Sequence, residues 1–205
     1  MNLSAVLLAG GESRRMGQDK ATVLFHGQPL WCRQLDLLRE VSPIEIMISA
    51  RIDPSWRPEQ AVFVADQPPS RGPLSGLAAA MAAMRGTHLL AIAVDMPLMT
   101  GACLKWMCGF VAQGRGVVPK IGARAEPLAA IYPHESLLNF TKTLEGQDFS
   151  LQRVVDDLVR FSRLSVIDVP ESHERLFRSI NFPNDIETSD NGADAAKLPR
   201  DAISY

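Results

Sequence analysis

Along this chain, short and densely apolar runs alternate with longer stretches whose apolar residues recur at helical spacing. Ala5–Leu8 (AVLL) is a short apolar run closed by Gly10-Gly11. Leu30–Val41 carries Leu30, Trp31, Leu35, Leu37, Leu38 and Val41, an apolar helical face. Ile44–Ser49 (IEIMIS) and Ala61–Val64 read as strands. Leu74–Met84 is made largely of Ala, Met and Leu, which are strong helix formers. Leu89–Val94 (LLAIAV) is the most apolar run, and its lack of polar positions predicts a central strand buried on both faces. A helix over Leu104–Val111, strands over Gly116–Ile121 and Leu128–Tyr132, a helix over Leu151–Leu158 and a late strand over Leu164–Val169 complete the pattern. This alternation predicts an α/β architecture with a mostly parallel sheet and right-handed connections. No internal repeat is present. The apolar period is lost over Ser189–Tyr205, so residues 1–188 read as one domain and 189–205 as a disordered tail, with a weak interaction segment as the alternative.

A length of 205 residues fits that single domain, and a chain of this size folds without a disulfide or metal staple. With 21 basic and 23 acidic residues the net charge is −2, which argues against a general nucleic-acid binder. Cys32, Cys103 and Cys108 form no CxxC pair and are odd in number, so they read as reduced packing residues of a cytoplasmic protein. The first ten residues lack a basic n-region and read as a strand rather than a signal peptide. No apolar stretch reaches the roughly 18 residues of a membrane span.

The densest chemistry lies directly after the first strand, in Leu8–Lys20 (LAGGESRRMGQDK). Ligands of open α/β sheets bind outside the carboxyl ends of strands, and glycines there let backbone N–H groups approach an anion. Arg14, Arg15 and Lys20 add the chain's tightest cluster of positive charge. The segment matches neither GxxxxGK[ST] nor GxGxxG. Asp95 ends the most apolar run, where an active-site carboxylate or the cap of a turn opened by Pro97 would stand. Asp66 follows the Ala61–Val64 strand, as a ligand contact or an Asx-turn. The four histidines show no metal-ligand spacing, and no GxSxG elbow is present. Trp31, Trp56 and Trp106 are isolated in sequence and read as packing residues rather than a base-stacking platform.

LLAGGxSxRMGxDK resembles the signature of the nucleotidyltransferases that make sugar nucleotides and related pyrophosphates. The double glycine and the RRMG segment are most similar to molybdenum cofactor guanylyltransferases, the MobA family. VADQ at Asp66, RGPLSG over Arg71–Gly76, VDMP at Asp95, Glu126-Pro127-Leu128 and the Ser179–Asp185 segment match further motifs in the family's order, from about residue 3 to 187. Glu126 stands where a His is more usual, Phe182 replaces a Thr, and Ser179 an Asn.

The resemblance implies a three-layer, Rossmann-like nucleotidyltransferase fold with a mostly parallel mixed sheet. It implies transfer of GMP from GTP to the terminal phosphate of molybdopterin or Mo-molybdopterin, with Mg²⁺ held by Asp95. Lys20, Arg15 and Asp95 are then catalytic. Leu8, Ala9, Gly10, Gly11, Lys20, Ser49, Asp66, Gly72, Pro73, Asp95 and Asn181 bind substrate. Which of Arg14 and Arg15 faces the phosphates stays open, as does whether Arg71 screens the acceptor or lies exposed. In such a transfer the nucleophile is already an anion, so the site must screen like charges and align an in-line attack rather than deprotonate a hydroxyl. Expected partners are GTP, the pterin acceptor, and proteins that insert the cofactor or receive it, with the chain a monomer or weak oligomer and no nucleic acid or membrane involved. The alternatives are cytidylyl or uridylyl transfer to molybdopterin or a sugar or polyol phosphate, and a GTP- or cofactor-binding carrier without turnover.

Overall fold

The computed structural model describes residues 1–10, 19–66, 69–180 and 203–204. In chain order these form β1 (Leu3–Leu8), β2 (Leu24–Phe25), β3 (Gln28–Pro29), α1 (Leu30–Arg39), β4 (Glu45–Ala50), β5 (Val62–Ala65), α2 (Pro73–Ala83) and β6 (His88–Ala93). They continue with α3 (Gly101–Cys108), β7 (Gly116–Ile121), β8 (Arg124–Ala125), β9 (Ala129–Pro133), α4 (Leu137–Glu145), α5 (Leu151–Arg160), β10 (Leu164–Asp168) and β11 (Ile203–Ser204). The main sheet runs β11-β10-β7-β9-β6-β1-β4-β5, with β8 paired to β7. It is mostly parallel. β9 runs antiparallel to both β6 and β7, and β11 runs antiparallel to β10.

Strand periodicity explains the three layers. Leu3, Ala5 and Leu7 of β1 face one side with Leu90 and Ile92, under α1 and α3. Val6 and Leu8 face the other with Leu89 and Ala91, under α2, α4 and α5. The LLAIAV run is the buried centre it was expected to be, and β1 and β6 are buried along their whole lengths. The β1–β4 register is fastened at its amino end. Ser4 lies opposite Glu45, its Oγ donates to Glu45 Oε1 at 2.6 Å, and Arg85 donates to the same carboxylate from N (2.6 Å) and Nε (2.8 Å). Burial pushes the Glu45 carboxyl up, but the Ser4 and Arg85 bonds outweigh it and hold the group below its ordinary range.

Five of these elements were not anticipated: β2, β3, α4, β8 and β11. The β2–β3 hairpin turns on His26 and Gly27, with φ of 49° and 77°; positive φ at both central positions gives the turn that matches strand twist. Helix α4 has a weak sequence signal because Thr141 and Thr143 are poor helix formers; their hydroxyls donate back to the Leu137 and Asn139 carbonyls. What holds α4 is Phe140, fully buried, its ring edge-on to that of Tyr132 at 5.2 Å. Within the segment expected to be a tail, Ile203–Ser204 pairs with β10, and the rest of that segment lies outside the described residues. No helix among the described residues is long and apolar enough to cross a membrane.

His88, at the start of β6, is buried at 3% exposure. Its Nε2 lies 3.1 Å from the Ala112 carbonyl, which can only accept, so Nε2 carries the proton and Nδ1 accepts from Thr87 Oγ1 at 3.0 Å. Burial pushes its pKa below the ordinary 6.5, against smaller opposing contacts. The unfolded chain therefore binds a proton that the folded chain resists, so stability falls as pH drops from about 6.5 toward the lower folded value. His88→Gln is expected to flatten the dependence of Tm on pH between about 7 and 5; an unchanged slope would assign the acid sensitivity elsewhere.

Candidate functional site

The sheet's register brings one end of four parallel strands level. Leu8 lies opposite Ser49 on one side and Ala93 on the other, and Ser49 lies opposite Val64. Two residues past that row stand Gly10, Asp66 and Asp95. The ladder continues partway: Ala9 N donates to Ser49 O (2.9 Å), Asp66 N to Ala50 O (3.1 Å) and Val94 N to Leu8 O (3.1 Å). A cavity of about 400 Å³ opens beside this edge, lined in part by Ala9, Gly10, Asp19, Ala50, Arg51 and Trp56.

Asp66 is held in a frame of small residues. Ser49 Oγ donates to its Oδ1 at 2.8 Å and Ser70 Oγ to its Oδ2 at 3.3 Å. A Cβ on Gly10 would lie 3.1 Å from Oδ2; one on Gly76 would lie 2.5 Å from Ser49 Oγ and 3.2 Å from Asp66 Oδ1. Neither position has room for a side chain unless the frame shifts. Gly76 belongs to the first turns of α2, which starts at Pro73 after Gly72 with φ 65° and ψ −143°, a region glycine enters readily. No side chain caps this helix start; Pro73 carries no N–H and Ser75 N donates to the Gly72 carbonyl at 3.1 Å.

Lys20 and Asp95 meet across the site. Lys20 Nζ lies 3.0 Å from Asp95 Oδ2, with the side chains 23% and 19% exposed. Lys20 opens a short turn capped by Asp19, whose Oδ1 accepts from Ala21 N at 3.0 Å. Asp95 is carried by a strand end pinned from outside the sheet. Gln34 Nε2 donates to Met96 O (2.6 Å), Arg33 Nε to Pro97 O (2.7 Å) and Ile180 N to Asp95 O (2.8 Å). The cap of the following helix is Thr100, whose Oγ1 accepts from Cys103 N, so Asp95 is not spent on capping.

Of the residues read from the sequence, the structure gathers Leu8, Ala9, Gly10, Lys20, Ser49, Asp66, Gly72, Pro73 and Asp95 at this edge of the sheet. Gly11, Arg14, Arg15 and Asn181 lie outside the described residues. Arg71 places its guanidinium 4.3 Å from the Phe149 ring, while its backbone N donates to Ser75 Oγ at 2.8 Å. Glu126 is half-buried, and burial pushes its carboxyl up against the weaker opposing pull of Arg124. The tryptophans are not all isolated: Trp31 and Trp56, 25 positions apart in sequence, stack at 5.3 Å and 16°. The three cysteines are unpaired, and burial pushes the Cys103 thiol up to about 12. Among the described residues no group of three or more His, Cys, Asp or Glu side chains could hold a metal.

The sequence did not single out Gly76, Ser70, Gln34 or Arg33 as site residues. Gly76 carried a signal: a glycine inside an Ala-rich helix costs about 1 kcal/mol relative to Ala and implies a close approach. Gln34 and Arg33 carried none, because their partners are backbone carbonyls more than 60 residues away.

Residues 5–162 match the family model of the MobA-like NTP transferase domain. A probable molybdenum cofactor guanylyltransferase from Opitutus terrae is 36% identical over 186 residues, covering 89% of this chain and 92% of the relative. A molybdenum cofactor guanylyltransferase from Xanthomonas euvesicatoria is 44% identical over 102 residues, about half of each chain. Among solved structures, a nucleotidyl transferase from Methanothermobacter superposes with a TM-score of 0.69 at 15% identity, covering 91% of this chain and 94% of its own. The molybdopterin-guanine dinucleotide biosynthesis protein A of Archaeoglobus fulgidus gives 0.63 at 24%, covering 91% and 96%. These last two show the fold, a mostly parallel mixed sheet between helical layers shared with nucleotidyltransferases. By its match to the family model and to these relatives, the chain belongs to the MobA-like NTP transferase family.

Proposed function

We propose that this chain transfers GMP from GTP to the terminal phosphate of molybdopterin, or Mo-molybdopterin, giving the guanine dinucleotide and pyrophosphate. The observation that carries the reading is the Lys20–Asp95 pair, which joins the glycine-rich loop to the end of the central strand. The relatives named as molybdenum cofactor guanylyltransferases support the choice of substrates. An acceptor phosphate oxygen forms a bond to the α-phosphorus of GTP as the bond to the bridging β-oxygen breaks, and pyrophosphate carries away the electron pair. No proton has to be removed from the nucleophile.

The chain's own groups then have separable tasks. The backbone at Leu8, Ala9 and Gly10 and the Gly72-Pro73 start of α2 line the space for the nucleotide. Asp66, its carboxylate held by the Ser49 hydroxyl, offers acceptors to the nucleoside. Lys20 brings a mobile positive charge to the triphosphate. Asp95 suits Mg²⁺, a hard cation that takes one or two carboxylates with phosphates and waters filling the rest. When bound, the ion supplies further neutralisation of the phosphate oxygens. The Lys20–Asp95 pair is partly exposed, so each partner can be given up to a more highly charged ligand. Three unpaired cysteines fit a reducing compartment, and we place the reaction in the cytoplasm.

A thermal-shift titration with GTP, CTP, UTP and ATP, each with and without Mg²⁺, is expected to show GTP stabilising most, and more so with Mg²⁺. At 100 times its dissociation constant a ligand adds about 2.7 kcal/mol. Preference for CTP or UTP would keep the reaction and change the substrate, and binding without pyrophosphate release would make the chain a carrier. Lys20→Ala and Asp95→Ala are each expected to lower turnover at least roughly tenfold, about 1.4 kcal/mol of barrier; full activity in both would remove the site assignment. Gly76→Ala pushes a methyl into the Ser49–Asp66 contact. It is expected to weaken GTP binding roughly tenfold and to cost about 1–3 kcal/mol of stability by overpacking; wild-type affinity would show that the frame does not touch nucleotide.

A further inference from the structure

We infer that Trp56 is a positioning residue for Lys20, acting through Asp19; the inference rests on the nucleotidyl-transfer reading above. Its indole Nε1 donates to Asp19 Oδ2 at 3.0 Å, while the other carboxylate oxygen, Oδ1, accepts from Ala21 N at 3.0 Å. Asp19 thus has one oxygen on the turn that presents Lys20 and the other on a ring supplied by a different part of the chain.

The ring is itself anchored. Trp56 lies nearly parallel to Trp31 with centroids 5.3 Å apart, and Trp31 is the second residue of α1. Helix α1 is fixed to the core by Leu30, Leu35 and Leu38, each at most 1% exposed. A line of direct contacts therefore runs from a buried helix through Trp31, Trp56 and Asp19 to Ala21 N, in the turn that Lys20 opens, and Lys20 Nζ in turn meets Asp95. The same helix holds the other end of that line, because Arg33 and Gln34 of α1 bind the carbonyls of Pro97 and Met96 beside Asp95. One helix positions both members of the Lys20–Asp95 pair.

The physical need is clear. A lysine side chain has four rotatable bonds, so the reach of its ammonium depends on where its backbone is held. A carboxylate cap at the edge of a glycine-rich loop fixes that backbone, and a charge-assisted N–H bond fixes the carboxylate. Trp56 also borders the cavity beside Gly10, so its ring stands close to the space a nucleotide would enter without being required to touch it.

The test is a double-mutant cycle read by Mg²⁺–GTP affinity and by steady-state kinetics on the full chain. Trp56→Phe keeps an aromatic ring against Trp31 and removes the N–H donor. It is expected to weaken GTP binding roughly three- to tenfold, with Tm close to wild type. Asp19→Asn is expected to do the same. In a Lys20→Ala background, Trp56→Phe is expected to have no further effect, because the group it positions is gone. Unchanged GTP affinity in Trp56→Phe overturns the inference. Full additivity with Lys20→Ala also overturns it, because the ring then acts through packing or touches the ligand itself. A wild-type chain that binds no nucleotide would overturn the functional reading and this inference with it; a wild type that binds GTP while the variants behave as wild type would overturn this inference alone.

Discussion

The site depends on the register of β1. This strand is buried along its whole length and paired in parallel on both sides, to β4 and to β6. Its side chains alternate between two helical layers, so a slip of one residue would exchange the faces of Leu7 and Leu8 and set both layers against the wrong surface. The Ser4–Glu45–Arg85 bonds pin the amino end, and the ladder transmits that alignment along the strands. Ser49, Leu8 and Ala93 consequently arrive level, and the residues past them meet as a group.

On that edge the structure makes two different kinds of commitment. Asp66 is enclosed, with hydroxyls on both oxygens and glycines where larger residues would crowd it. Lys20 and Asp95 are joined by a single partly exposed contact. The first arrangement keeps a fixed shape before ligand arrives. The second is a partly exposed ion pair, which in the reaction proposed above is the part that exchanges its partners for those of the ligand. Under that proposal a fixed nucleoside side and an exchangeable phosphate side suit a transfer whose main difficulty is bringing negative charges together.

Much of this was legible because it lies on single elements. The apolar runs located the strands, and the change from strand to helical period located α1, α2 and α5. Ser49, Asp66 and Asp95 could be singled out because each stands just after, or at the end of, such a run, and Lys20 because it closes the glycine-rich basic segment. What escaped is non-local. The Trp31–Trp56 stack joins residues 25 positions apart, and Gln34 serves carbonyls on a distant strand end. Helix α4 escaped for the opposite reason: its own residues favour it weakly, and it stands because Tyr132 offers Phe140 a buried edge.

One strand runs against its neighbours, and this matters for the wall of the cleft. Because β9 is antiparallel to β6, it begins where β6 ends: Ala93 N donates to Leu128 O at 2.9 Å, bringing the Glu126-Pro127-Leu128 entry to the level of Asp95. A parallel strand in that place would have entered from the opposite edge of the sheet. The reversal lets a short connection, rather than a buried strand, form part of the site's border. Loops tolerate exchange and insertion that strands do not. A lineage can therefore redraw this border by editing a few residues before β9 while β1, β4 and β5 keep their nucleotide-side row intact.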